Sequence, residues 1–140
     1  MKKGIRHINP GGLFRSPVFS QGVTTQGPGT TIYIGGQNAV NTRGDLVGEN
    51  DLGKQTEQAM ENIRILLTEC DATFSDLVKL TIYIVQGEDL QTAFKNAQPF
   101  LAEAEEPPAV TFSFVSGLTN PKYLVEIDGI AFVEAGRGND

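Results

Sequence analysis

The chain has 140 residues, 39% hydrophobic and 20% charged, with a formal charge of −6, one cysteine and one histidine. That composition fits one soluble globular domain, residues 1–140, with a single core. Its thinly spread Lys and Arg offer a nucleic-acid backbone no basic cluster, no apolar run approaches the ~20 residues that span a bilayer, and the lone Cys70 rules out an internal disulfide or a cysteine-rich zinc site.

The N-terminal stretch MKKGIRHINP has the charges of a signal peptide but no apolar core after them, so a cytoplasmic protein is expected. His7, the sole histidine, has no partner motif around it. It reads as a structural residue of a first strand, and neither a metal site nor a cofactor is expected. Residues 4 to 8 and 18 to 24 read as short extended pieces. "TTIYIGGQNAV" (30 to 40) is a β-branched and aromatic strand interrupted at Gly35-Gly36, where the backbone can bulge or something can approach it closely. "NTRGDLVGEN" carries turn chemistry on both sides of a short extended piece.

From Asp51 to Cys70 the period changes. Ala59, Met60, Ile63, Leu66, Leu67 and Cys70 recur at helical steps, which predicts an amphipathic helix capped by Asp51, with Cys70 in its apolar stripe. "DLVKLTIYIV" (76 to 85) alternates as a strand, with Val78, Leu80, Ile82 and Ile84 on one side. A second helix is predicted from Glu88 to Ala104, with Leu90, Phe94, Ala97, Phe100 and Leu101 inward and Pro99 interrupting it. "EPPAVTFSF" (106 to 114) opens the next strand and "KYLVEIDGIAFVE" (122 to 134) is the last.

The expected fold is therefore α+β, in the order β-β-α-β-α-β-β, with one sheet and two helices on one face. The last strand is apolar at both parities, so the uncovered face needs a partner, and oligomerisation supplies one. Within that strand Glu126 shares a side with Leu124, Ile130 and Phe132. A carboxylate in an apolar row is costly unless it is paired or hydrogen-bonded. Glu126 is accordingly the leading candidate for a general acid or base, or for a group that positions water. The competing reading is a structural carboxylate held by backbone amides or a lysine.

The segments "VFSQGV" (18 to 23), "YIGGQ" (33 to 37), "QTEQAMENIRILL" (55 to 67), "LVKLTIYIV" (77 to 85), "PPAVTF" (107 to 112) and "VEIDGIA" (125 to 131) resemble, in order and spacing, the RidA/YjgF family over nearly the whole chain. The resemblance implies a chorismate-mutase-like subunit, a homotrimer, and ligand clefts between neighbouring subunits. It also implies hydrolysis of reactive enamines and imines derived from amino acids, with no metal or organic cofactor. Where the deaminases of that family carry a carboxylate-binding arginine this chain has Val110, and their cysteine position is Phe112. Their tyrosine is Phe19 and their serine is Gly35, followed by Gly36, while the glutamate that activates water is kept as Glu126. These changes together imply a cleft relined for a less anionic ligand, bounded by Phe19, Gly35, Gly36, Val110 and Phe112. Arg15, Arg43 and Arg137 are the alternative sources of a cation. A non-catalytic small-molecule-binding trimer and a protein-interaction scaffold remain as other readings; nucleic acid and membrane are not expected partners.

Overall fold

The computed structural model describes residues 4–136. It orders the elements as β1 (Ile5–Ile8), β2 (Gly22–Thr25), β3 (Gly29–Gln37), α1 (Leu52–Glu69), a 3-10 turn (Phe74–Asp76), β4 (Leu77–Val85), α2 (Leu90–Leu101), β5 (Ala109–Val115) and β6 (Val125–Glu134). Three strands precede α1 where the sequence pattern merges them into two, and the sheet divides in two. β3-β6-β4-β5 form a four-stranded mixed sheet, and β1 and β2 a separate antiparallel pair. A parallel bridge from Ser20 to Ala109 links the chain just before the smaller pair's β2 to the start of β5.

Both helices cover one face of the larger sheet, where Leu80, Ile82, Ile84, Val125, Ile127 and Ala131 meet Ala59, Met60, Ile63, Leu67, Ala93 and Ala97 in one core. Asp51 caps α1 by accepting from Lys54 N at 3.0 Å. Asp89 does the same for α2 through Gln91 N, and Pro99 is accommodated in that helix's last turn. Gln55, fully buried, donates to Gly48 O and Lys122 O and accepts from Leu124 N, so every polar atom of its amide is used in tying α1 to the loop that leads into β6. Arg64 closes the helix layer. Its guanidinium binds both carboxylate oxygens of Glu103 at 2.8 Å and stands over the rings of Phe74 and Phe100.

Two expectations about side-chain direction are corrected. Cys70 is exposed, because α1 ends at Glu69 and Cys70 is its C-cap; Leu66 also faces solvent in part. In β4 the inward residue is Leu77 and not Val78, since Leu77 and Lys79 face the consecutive β6 residues Ala131 and Ile130 and Val78 is the extra residue of a bulge. Among the described residues, no helix is long and apolar enough to cross a membrane.

The second face of the sheet carries no helix. Register places Glu126, Asp128, Ile130 and Phe132 of β6 on it, beside Lys79, Thr81 and Tyr83 of β4 and Thr111 and Ser113 of β5. Phe132 is buried close to Gly4 and Gly29, whereas Tyr33 is 79% exposed. The face is mixed rather than apolar.

Candidate functional site

The Gly35-Gly36 pair does form a bulge. Ile34 pairs with Gly129 and Gln37 with Ile127, so β3 spends one residue more than β6 over the same stretch. Neither glycine has a positive φ. What the bulge needs from Gly36 is its missing side chain: a Cβ there would stand 2.4 Å from Glu126 Oε2. The carboxylate of Glu126 thus lies across Gly36. Just beyond the bulge, Asn38 donates through Nδ2 to Glu126 Oε1 at 3.3 Å and to Val125 O at 3.2 Å. Glu126 is half-buried, and no Lys or Arg pairs with it among the described residues. Its side-chain partner is thus a neutral amide, which suits proton transfer better than an ion pair does. Asn38 was not legible as a site residue, since its role depends on a partner 88 positions away.

Val110 and Phe112 stand elsewhere. Val110 pairs with Leu80 and Phe112 with Ile82, so both point to the helix face, where the Phe112 ring meets Phe94 at 6.3 Å between centroids. Glu126 points to the other face of the same sheet.

Phe19 lines a cleft of about 670 Å³ at the start of β5, together with His7, Arg15, Ser20, Glu106 and Pro107. Here a histidine, a serine and a glutamate converge, and their wiring decides what they are. The Ser20 hydroxyl donates to Pro107 O at 2.5 Å, so its oxygen accepts from His7 Nδ1, 3.0 Å away. Glu106 lies 3.8 Å from that same Nδ1. A catalytic triad needs serine and acid on opposite ring nitrogens and the serine proton aimed at the imidazole. Both conditions fail. The cluster instead staples the β1-β2 pair to β5, helped by Ser20 N donating to Pro108 O at 2.9 Å.

Ser113, which shares Glu126's rung through Tyr83, is four residues beyond Ala109, and β6 lies two strands from β5. At ~3.3 Å per residue and ~4.8 Å per strand, the cleft and Glu126 are roughly 16 Å apart. Within one chain, a small ligand cannot touch both. Of the three arginines considered as a cation source, Arg15 lines the cleft. Arg43 is tied to Asp45 at 3.5 Å in an exposed turn, and Arg137 lies outside the described residues. Among those residues no cluster of three or more His, Cys, Asp or Glu has the arrangement to hold a metal.

The family model for endoribonuclease L-PSP matches residues 15–133, most of the chain and every element from β2 to β6. The chain belongs to this family. Its resemblance to RidA/YjgF proteins is upheld by the solved structure of YyfB of Yersinia pestis, a member of the Rid protein family. That structure is 36% identical, with a TM-score of 0.84 over 94% of this chain and all of that one. A RutC family protein of Pyrococcus abyssi is 30% identical over 76% of this chain and 81% of its own length. A 2-iminobutanoate/2-iminopropanoate deaminase of Dermatophagoides farinae is 28% identical over 76% and 80% respectively.

Proposed function

We propose that this Rid-family chain is a cytoplasmic homotrimer that hydrolyses small enamine- or imine-type metabolites in clefts between subunits, with a preference for less anionic substrates than carboxylate-bearing imines. The observation that carries the proposal is the Glu126 carboxylate, half-buried on the uncovered sheet face and held by a neutral amide rather than by a cation. In the reaction, Glu126 takes a proton from water as the water oxygen attacks the imine carbon. That proton passes to the imine nitrogen to give the carbinolamine; Glu126 then carries the hydroxyl proton to the same nitrogen, the C–N bond breaks, and ammonia leaves as the carbonyl forms. No redox partner is needed. The preference follows from the lack of a carboxylate-binding arginine: position 110 holds a valine that faces the helix layer, so the paired charge-assisted hydrogen bonds an arginine makes to a carboxylate, each worth roughly 1.5–3 kcal/mol, are missing.

Relatives support the reaction class: one carries the name of an imine deaminase. The family's ribonuclease description is less well supported, since the net charge of −6 opposes a polyanion and the single histidine is engaged with Ser20. A non-catalytic binding trimer is the second reading, favoured by the use of Glu126 Oε1 in an internal hydrogen bond.

Ammonia release from freshly generated 2-aminoacrylate and from longer-chain and neutral imines, with wild type and Glu126→Gln, tests the proposal. General acid–base catalysis contributes about 10²–10⁴-fold, so Glu126→Gln should lose turnover on that scale with little change in affinity. Loss of affinity alone would favour the binding reading. Absence of any acceleration by wild type would retire the hydrolase.

A further inference from the structure

The two oxygens of Glu126 are not equivalent. Oε1 accepts from Asn38 Nδ2, and Oε2 lies over Gly36, where a methyl group would meet it at 2.4 Å. The orientation of the Asn38 amide is dictated by its surroundings. Both groups beside its terminal atoms, Val125 O and Glu126 Oε1, are acceptors, so the nitrogen must face them, one hydrogen to each. The backbone of Asn38 is held as well. Its carbonyl accepts from Asn62 Nδ2 at 3.1 Å, and that nitrogen also donates to Val40 O at 3.1 Å. The Asn62 Oδ1 in turn accepts from Gln58 Nε2 at 2.8 Å. A continuous line of amides thus runs from α1, through the loop after β3, to the carboxylate.

A glutamate on an uncovered sheet face has several free torsions, and a general base that samples many rotamers is out of position most of the time. A lysine or arginine would fix it but also oppose its charge. An amide fixes it and leaves the charge in place. We infer that Asn38 is the positioning residue for Glu126: it anchors Oε1 and presents Oε2, above Gly36, as the oxygen that meets water or ligand. This rests on the reading of Glu126 as the general base.

The test compares Asn38→Leu, which removes the donor at similar size, in wild-type and Glu126→Gln backgrounds, using the same imines. The expected result is a fall in kcat of about tenfold or more with KM within twofold, and less than a twofold effect once Glu126 is already glutamine. An equal loss in both backgrounds, or no loss in wild type, overturns the inference. Gly36→Ala, which alters neither Asn38 nor Glu126 chemically, should reproduce the kcat loss, and it decides the matter if Asn38→Leu does not fold. Two further readouts do not depend on turnover: the side-chain amide signals of Asn38 in proton–nitrogen spectra, and the Glu126 rotamer in a crystal structure of Asn38→Leu. If wild type shows no turnover, or Glu126→Gln keeps it, the functional reading fails by itself. The amide signals must still move in Glu126→Gln and the Glu126 carboxylate must still be displaced in Asn38→Leu, and if either stays unchanged the positioning role is refuted.

Discussion

Adding one methyl group at Gly36 and at Gly129 should have opposite consequences, although both glycines lie at the interface of β6 with a neighbouring strand. At Gly129 the new Cβ would stand 2.8 Å from the main-chain oxygen of Lys79, with Leu80 and Leu77 side chains at 3.4 and 3.6 Å. That oxygen belongs to the β4-β6 ladder at the centre of the sheet, so relief requires the two strands to separate. Overpacking of this kind costs about 1–3 kcal/mol, which for a chain of this size lowers Tm by roughly 4–12 °C. At Gly36 the three nearest atoms are Oε2, Cδ and Cγ of Glu126, the far end of one flexible side chain. Swinging it away forfeits the bond from Asn38, about 1 kcal/mol. Replacing glycine by alanine at a φ that alanine tolerates returns about 0.4–1 kcal/mol from the unfolded chain. The net change should be within about 1 kcal/mol, a Tm shift of no more than roughly 4 °C. Thermal unfolding by circular dichroism, paired with imine turnover at 25 °C, reads both sides. Gly36→Ala should melt near wild type yet lose turnover, and Gly129→Ala should melt early yet retain turnover per folded molecule. The reasoning is refuted if Gly36→Ala is as destabilised as Gly129→Ala, or if it keeps full turnover.

Other outcomes follow from the same geometry. Arg64→Met should cost about 1–2 kcal/mol, from cation–π contacts at a partly exposed site and a bidentate ion pair. Hydrogen bonding to Arg64 holds the Glu103 carboxyl below its ordinary value, so that part of the stability is complete above the usual carboxylate range and is lost as pH falls through the lowered value. Both side chains are more than a third exposed, which limits the ion pair to about 1 kcal/mol or less. The Tm gap between wild type and Arg64→Met should therefore narrow in acid and in high salt. Ser20→Ala leaves Pro107 O and His7 Nδ1 without their shared partner at a 2%-exposed site. Amide exchange should then quicken in β1 and β2 while β4 and β6 keep their protection, at a cost of about 1–3 kcal/mol. Val110→Arg places a cation among side chains that face the helices, so it should lower Tm and leave the ratio of KM for carboxylate-bearing and neutral imines unchanged. A selective fall in KM for carboxylate-bearing imines would show that position 110 reaches the substrate.

Local chemistry was readable from the sequence. The Asp51 cap and the α1 stripe through Ala59, Met60, Ile63 and Leu67 follow from side-chain spacing and one carboxylate. The Gly35-Gly36 interruption announced the bulge, and Glu126 stood out as an acid in an apolar row. The sequence stopped short wherever a residue's meaning depended on an element far along the chain. The apolar period continues to Cys70, but the helix ends one residue earlier and leaves the thiol outside. Alternation in β4 marks two faces, yet a bulge at Val78, set by the register against β6, decides that Leu77 turns inward. Alternation in β5 likewise cannot tell that Val110 and Phe112 face the helices while Glu126 faces away, because that depends on which residues of β4 stand beside each. Asn38 lies in a loop with no pattern of its own. Only the pairing of β3 with β6 brings its amide within reach of a carboxylate, since hydrogen-bond geometry is fixed by position in space and not by spacing along the chain.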